Sequence, residues 1–109
     1  MIPEISVDEL AALVPSSVAL IDVRNADEYE EARVPGAVLV PLGELQDRVA
    51  EVPDDRVVYL ICRSGARSMR AAEFLAGFDR NVVNVAGGTL AWIDSGRPVD
   101  SGVPTARDS

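Results

Sequence analysis

The chain has no histidine and no lysine, and only one cysteine, Cys62, among its 109 residues. Without histidine, one chain holds no Ser-His-Asp triad, no Cys-His dyad and no histidine-ligated zinc site. A single cysteine excludes an internal disulfide and a CxxC redox pair, which agrees with a reducing compartment. All ten basic residues are arginine, so lysine Schiff-base chemistry and the phosphate-binding lysine of a P-loop are excluded too. No apolar run approaches the roughly 20 residues of a membrane span, and the opening Met-Ile-Pro-Glu does not resemble a secretory signal. The expectation is a soluble, cytoplasmic protein whose chemistry falls to Cys62, carboxylates, hydroxyls, arginines or backbone amides.

What is present suffices for one packed domain. Hydrophobic residues make up 48% of the chain, and the length leaves no room for a second domain. The net charge of −8 argues against nucleic acid or an anionic membrane as partner. That charge is uneven: residues 1–55 carry three Arg against 13 acidic residues, whereas residues 56–109 carry seven against five. Between residues 62 and 70 stand Arg63, Arg67 and Arg70 with no acid among them. Such a cluster is most often a solvated helix face, so it needs support from its surroundings.

Ser6-Val7-Asp8-Glu9 has the pattern of a capping box and predicts a helix through Leu13, ended by Pro15. Val18–Val23 is a continuous apolar run of strand length. Asn25-Ala26-Asp27-Glu28 repeats the cap signature for a helix ending near Ala32. Pro35-Gly36 predicts a turn, Val38–Val40 a short strand, and Leu42–Val49 a helix with Leu42, Leu45 and Val49 on one side. Val57–Ile61 is the strongest strand and stops at Cys62. After a tight loop over residues 63–67, Ser68 is placed to cap a helix to Ala76, with Met69, Ala72, Leu75 and Ala76 inward and Gly77 as C-cap. Val82–Val85 predicts a strand, Gly87-Gly88 a turn, and Thr89–Ser95 a last helix closed by Gly96. Short apolar strands alternating with helices imply an α/β fold with a parallel sheet covered on both faces. In such a sheet the ligand site lies beyond the carboxyl ends of the strands, where Cys62 sits.

A lone cysteine closing an apolar strand is commonly just a small buried hydrophobe. Here the six residues that follow are small or cationic and lead directly into a helix N-terminus. The unpaired amides of that first turn carry partial positive charge and favour a thiolate over a thiol. Arg63 and Arg67 add to that shift and supply anion-binding forks, with Arg67 as the anion clamp. Gly65 lets the backbone curl inward, and Ser64 and Ser68 offer hydroxyl donors. The loop from Cys62 through Arg63, Ser64, Gly65, Ala66, Arg67 and Ser68 therefore has the makings of a cradle for an anionic sulfur species.

This string resembles the active-site loop of the rhodanese family of sulfurtransferases. Asp22-Val23-Arg24 with Glu28-Tyr29 resembles the family's "DVR…EY" segment, and Val34-Pro35-Gly36-Ala37 most of its "GHIPGA" turn. Gly87-Gly88, Ala91-Trp92, Gly96 and Pro98-Val99 resemble its closing "GG…AW…G-PV" signature. Ala32-Arg33 departs from the family's Gly-His and leaves Arg33 as an unexplained charge. The resemblance implies a rhodanese-like domain over residues 1–100, with a mostly parallel five-stranded sheet, and a flexible tail over 101–109. It implies that Cys62 is the catalytic nucleophile and that residues 63–68 bind substrate. The donor would be a thiosulfate-like anion and the acceptor cyanide or an external thiol, protein thiols included. No cofactor, metal, nucleic acid or membrane enters, and the chain would be a monomer or weak dimer.

Three alternatives stand beside this. One is a sulfur carrier or regulatory binding module that does not turn over thiosulfate. Cysteine phosphatases and arsenate reductases also pair a Cys with an Arg across an anion loop. Phosphatase loops place five residues between the two, whereas Cys62 and Arg67 are separated by four. Asp22 and Arg24 line the site rim or form a structural ion pair. Trp92 and Tyr59 are expected in the packing, and Glu28, Glu30 and Glu31 on a solvated helix face.

Overall fold

A computed structural model describes residues 1–14 and 18–103 of the chain. The Ser6 capping box forms as its sequence implies. The Ser6 hydroxyl accepts from the Glu9 amide at 3.1 Å, and the Glu9 carboxylate accepts from the Ser6 amide at 2.9 Å. Helix α1 then runs Val7–Leu13; Pro15, expected to end it, lies outside the described residues. The other elements are β1 (Glu4–Ile5), β2 (Ala19–Asp22), α2 (Ala26–Glu31), β3 (Val38–Leu39), a 3-10 segment (Leu42–Glu51), β4 (Val58–Ile61), α3 (Ala66–Ala76), β5 (Val82–Val85) and α4 (Gly88–Asp94).

The five strands form one sheet in the order β1-β5-β4-β2-β3, with every adjacent pair parallel. Strand β1 has no periodicity of its own and is legible only through its pairing, Glu4 with Asn84 and Ile5 with Val85. Alternation along β4 divides the core. Val58, Leu60 and Cys62 face a cluster with Leu45, Val52, Ala71, Ala72 and Leu75, under the 3-10 segment and α3. Ile61 faces the other side with Leu10, Leu20, Tyr29, Val85 and Trp92, under α1, α2 and α4; Tyr59 packs against that cluster. Leu45, Leu60 and Leu75 are at most 1% exposed, and each buried side chain of that kind contributes roughly 1.5–3 kcal/mol.

The helices after β2 and β5 cover one face while the helix after β4, the strand between them, covers the other. The connections leaving β4 and its neighbours therefore run to opposite faces at the carboxyl end of β4, the position where parallel α/β sheets place their ligands and where Cys62 lies.

Several local expectations are corrected. The α-helix expected over Leu42–Val49 is a 3-10 segment bent at Arg48. It starts on the Pro41 carbonyl, which accepts from the Glu44 amide at 2.9 Å, and the nearby Gly43 weakens a regular α-turn. Ala76 is exposed rather than inward, because α3 buries Ser68, Ala71, Ala72 and Leu75. Gly77 is the C-cap but keeps an ordinary right-handed backbone (φ −68°); the left-handed residue is Asp79, with φ +61°. Arg33 is no longer an unexplained charge. Its guanidinium lies 4.5 Å from the Tyr29 ring centre and donates to the carbonyls of Tyr29 at 3.0 Å and Gly102 at 2.8 Å. With the Arg33–Asp100 bridge, this holds residues 100–102 against α2; residues 104–109 lie outside the described residues.

Candidate active site

The cradle is shaped by two helix N-termini. Gly65 is the N-cap of α3 and adopts φ +110°, a left-handed backbone that only glycine takes readily. This turn aims the Gly65 amide at the Cys62 sulfur, 3.1 Å away. Ser68 is therefore not the cap the sequence suggests. It stands in the first turn of α3, fully buried, with its hydroxyl 3.3 Å from the Cys62 sulfur and 3.3 Å from the Gly65 carbonyl. One hydroxyl proton serves one acceptor at a time, and a thiolate is the stronger of the two.

The loop carbonyls are drawn the other way by α4 and β5. The Thr89 amide and hydroxyl both donate to the Cys62 carbonyl, at 2.8 and 3.0 Å, and the Leu90 amide donates to the Arg63 carbonyl at 3.0 Å. Asn84 donates to the Gly65 carbonyl at 3.2 Å and to the Glu4 carboxylate at 2.8 Å. With the carbonyls held outward, amides are left facing the sulfur. Gly88 is indispensable to this contact. It sits at φ +60°, and a Cβ there would fall 2.5 Å from the Cys62 carbonyl oxygen and 2.6 Å from that of Arg63.

Cys62 is 1% exposed. Burial alone would push its thiol up, but hydrogen bonds from the Ser68 hydroxyl and from the amides of Ser68, Gly65 and Ser64 outweigh this. They hold its pKa below the ordinary thiol value. The thiolate is thus favoured foremost by the hydroxyl and the amides, where the sequence had pointed also to Arg63 and Arg67.

The arginines occupy different places. Both terminal nitrogens of Arg67 donate to Glu28, at 2.8 Å each, so the expected clamp already holds a carboxylate. Glu28 is correspondingly not a solvated residue: its hydrogen bonds with Arg67, against some burial, hold its pKa at about 2. Arg63 is exposed and makes no side-chain hydrogen bond or ion pair among the described residues, and the side chains of Ser64 and Ala66 also face solvent. Asp22 and Arg24 form a buried pair, with Arg24 Nη2 2.7 Å from the carboxylate and 2.8 Å from the Ala32 carbonyl. Neither hydrogen-bonds to the loop among the described residues. Trp92 is core, its indole donating to the Pro98 carbonyl at 2.9 Å.

Sequence reasoning brought Cys62, Gly65 and Ser68 together correctly but missed Glu28, Asn84 and Thr89. Asn84 had a signal, since a polar residue interrupts an apolar strand. No group of acidic or cysteine side chains suited to a metal ion occurs among the described residues, and no helix there is long and apolar enough to cross a membrane.

The fold and site together are those of an all-parallel α/β domain with a buried, hydrogen-bonded cysteine sulfur at the exit of its central strand. Residues 6–95 match the model of the rhodanese-like domain, and the chain belongs to that family. It is 36% identical over 103 residues to a sulfurtransferase of Allochromatium vinosum, covering 91% of this chain and 95% of that one. It is 42% identical over 95 residues to YrkF of Bacillus subtilis, provisionally named a sulfur carrier protein, of which the chain spans only 51%. A rhodanese-related protein from Thermoplasma volcanium superposes with a TM-score of 0.85 at 30% identity, over 90% of this chain and 97% of that one. The sulfurtransferase relatives support a transferase.

Proposed function

We propose that the protein moves a sulfane sulfur from thiosulfate or a similar donor to a thiophilic acceptor through a persulfide on Cys62. The observation that carries this is the buried sulfur receiving the Gly65 amide and the Ser68 hydroxyl. The Cys62 thiolate attacks the outer sulfur of thiosulfate. A new S–S bond forms as the bond to the sulfonate sulfur breaks, and sulfite leaves with the electron pair. The persulfide's terminal sulfur is then taken by cyanide or a thiolate, which returns the Cys62 thiolate. A thiol that is already ionised needs no histidine base in either half. With no second cysteine in the chain, the persulfide is discharged onto an external acceptor and the kinetics are ping-pong.

Intact mass after incubation with thiosulfate tests this. One added sulfur atom is expected, absent in Cys62→Ser and removed by cyanide or a thiol. A protein that gains no mass from thiosulfate, yet carries sulfur on Cys62 when freshly isolated, would be a sulfur carrier instead, the reading that similarity to YrkF favours.

A further inference from the structure

Three arginines stand just beyond the carboxyl ends of β2 and β4, and two of them are already neutralised. Arg24 is bound to Asp22 and the Ala32 carbonyl. Arg67 is held end-on by Glu28, both oxygens at 2.8 Å, with side-chain exposures of only 32% and 25%. Of these three only Arg63 is without a side-chain partner among the described residues; Arg70, a turn further on, lines a separate cleft with Leu42, Gly43, Leu45, Gln46 and Phe74. The charges acting on Arg67 are those of Glu28, Cys62 and Asp22, and those acting on Glu28 are Arg67 and Arg24. Glu28 therefore stays ionised throughout any working pH range. With the Asp22–Arg24 pair neutral, the thiolate, Arg63, Arg67 and Glu28 sum to zero before a donor arrives. A dianion entering this setting meets one uncompensated guanidinium, not two.

We propose that Glu28 is a specificity-determining residue of the Cys62 site: by cancelling the charge of Arg67, it biases the site toward sulfur donors of low charge, such as a small alkyl persulfide, over a dianion such as thiosulfate. This rests on the sulfur-transfer reading above and narrows its donor class. With a persulfide RSSH, the Cys62 thiolate bonds to the outer sulfur as the RS–SH bond breaks. The thiolate RS⁻ leaves with the electron pair, and the proton stays on the new terminal sulfur. With thiosulfate the same displacement releases sulfite, so the negative charge is larger before and after the step. It must be accommodated where Glu28 already occupies the guanidinium of Arg67.

The test uses Glu28→Gln, which keeps the side-chain shape and removes the charge. Inorganic sulfate serves as an unreactive dianion probe, read by its protection of Cys62 from iodoacetamide. Sulfate protection is expected to tighten about fivefold at low ionic strength, and the gain should shrink as salt is added. The KM for thiosulfate should fall by a similar factor, while kcat/KM with a small alkyl persulfide changes less. Glu28→Ala should tighten sulfate protection as Glu28→Gln does, and Glu28→Asp, which restores the charge, should return it toward the wild-type value. Unchanged or weaker sulfate protection in folded Glu28→Gln and Glu28→Ala would overturn the proposal. So would equal shifts for both donors. Sulfate protection requires no sulfur transfer, so the two readings fail separately. If neither thiosulfate nor the small alkyl persulfide loads sulfur on Cys62 but sulfate protection shifts, the transfer reading fails alone; a Cys62 persulfide with unshifted protection sinks only the role of Glu28.

Discussion

Helices α3 and α4 begin alike, each at a glycine in a left-handed backbone, Gly65 and Gly87, and each turns its first amides toward the same short peptide. Their targets differ. The α3 terminus addresses the Cys62 sulfur, whereas α4 addresses the carbonyls of Cys62 and Arg63. One set of unpaired donors favours ionisation of a thiol; the other fixes the backbone from which that thiol projects. A helix N-terminus is thus not an active-site feature in itself. Its role depends on whether its amides meet an ionisable group or a peptide oxygen.

The sharpest way to break this comparison is Gly88→Ala. A methyl group 2.5 Å from the Cys62 carbonyl, on a backbone at φ +60°, should cost about 3 kcal/mol of stability and displace the loop. Urea unfolding measures the first effect and the Cys62 alkylation rate the second. A stable variant with normal alkylation would show that α4 does not anchor the cradle. Next in size is Ser68→Ala, on the α3 side. A hydrogen bond to a charged acceptor is worth about 1.5–3 kcal/mol, so the Cys62 thiol should rise by about one pH unit or more, and any loss of stability should appear above the wild-type pKa rather than below it. An unchanged inflection in an iodoacetamide titration would remove Ser68 from the stabilisation of the thiolate.

The smallest effect concerns what ties α3 to α2. Glu28 has its folded pKa lowered from 4.5 to about 2, so the unfolded chain binds more protons in that interval. Its contribution is fully present above pH 4.5 and is lost as pH falls toward 2. Because both side chains remain partly exposed, it should amount to about 1 kcal/mol or less. Urea midpoints at pH 5 and 3 should therefore fall slightly more for wild type than for Glu28→Gln. Parallel losses would show that the ion pair does not stabilise the fold.

The layered sheet and the place of Cys62 at the exit of its central strand were legible in the sequence because both have local signatures: apolar runs of strand length, cap residues, and a cysteine followed by small and cationic residues. The partners of the loop were not. Glu28 meets Arg67 across 39 residues, and within its own helix it has the same pattern as Glu30 and Glu31, whose carboxylates make no ion pair among the described residues. The Glu28-Tyr29 pair in the family-like segment was the one available hint. Ser68 was misplaced as a cap because serine is a common N-cap, whereas the left-handed Gly65 begins the helix three residues before the position that choice implied. The short β1 strand has no periodicity to read; its two residues become a strand only by pairing with β5.

The sheet's outer strands, β1 and β3, are each two residues long, with Pro3 directly before the first and Pro41 shortly after the second. A neighbouring molecule trying to extend the sheet would find only a rung or two of free backbone on either side. The long, apolar, aggregation-prone segments, β2, β4 and β5, all lie inside. The fold thereby protects itself against edge-to-edge polymerisation by keeping its margins short.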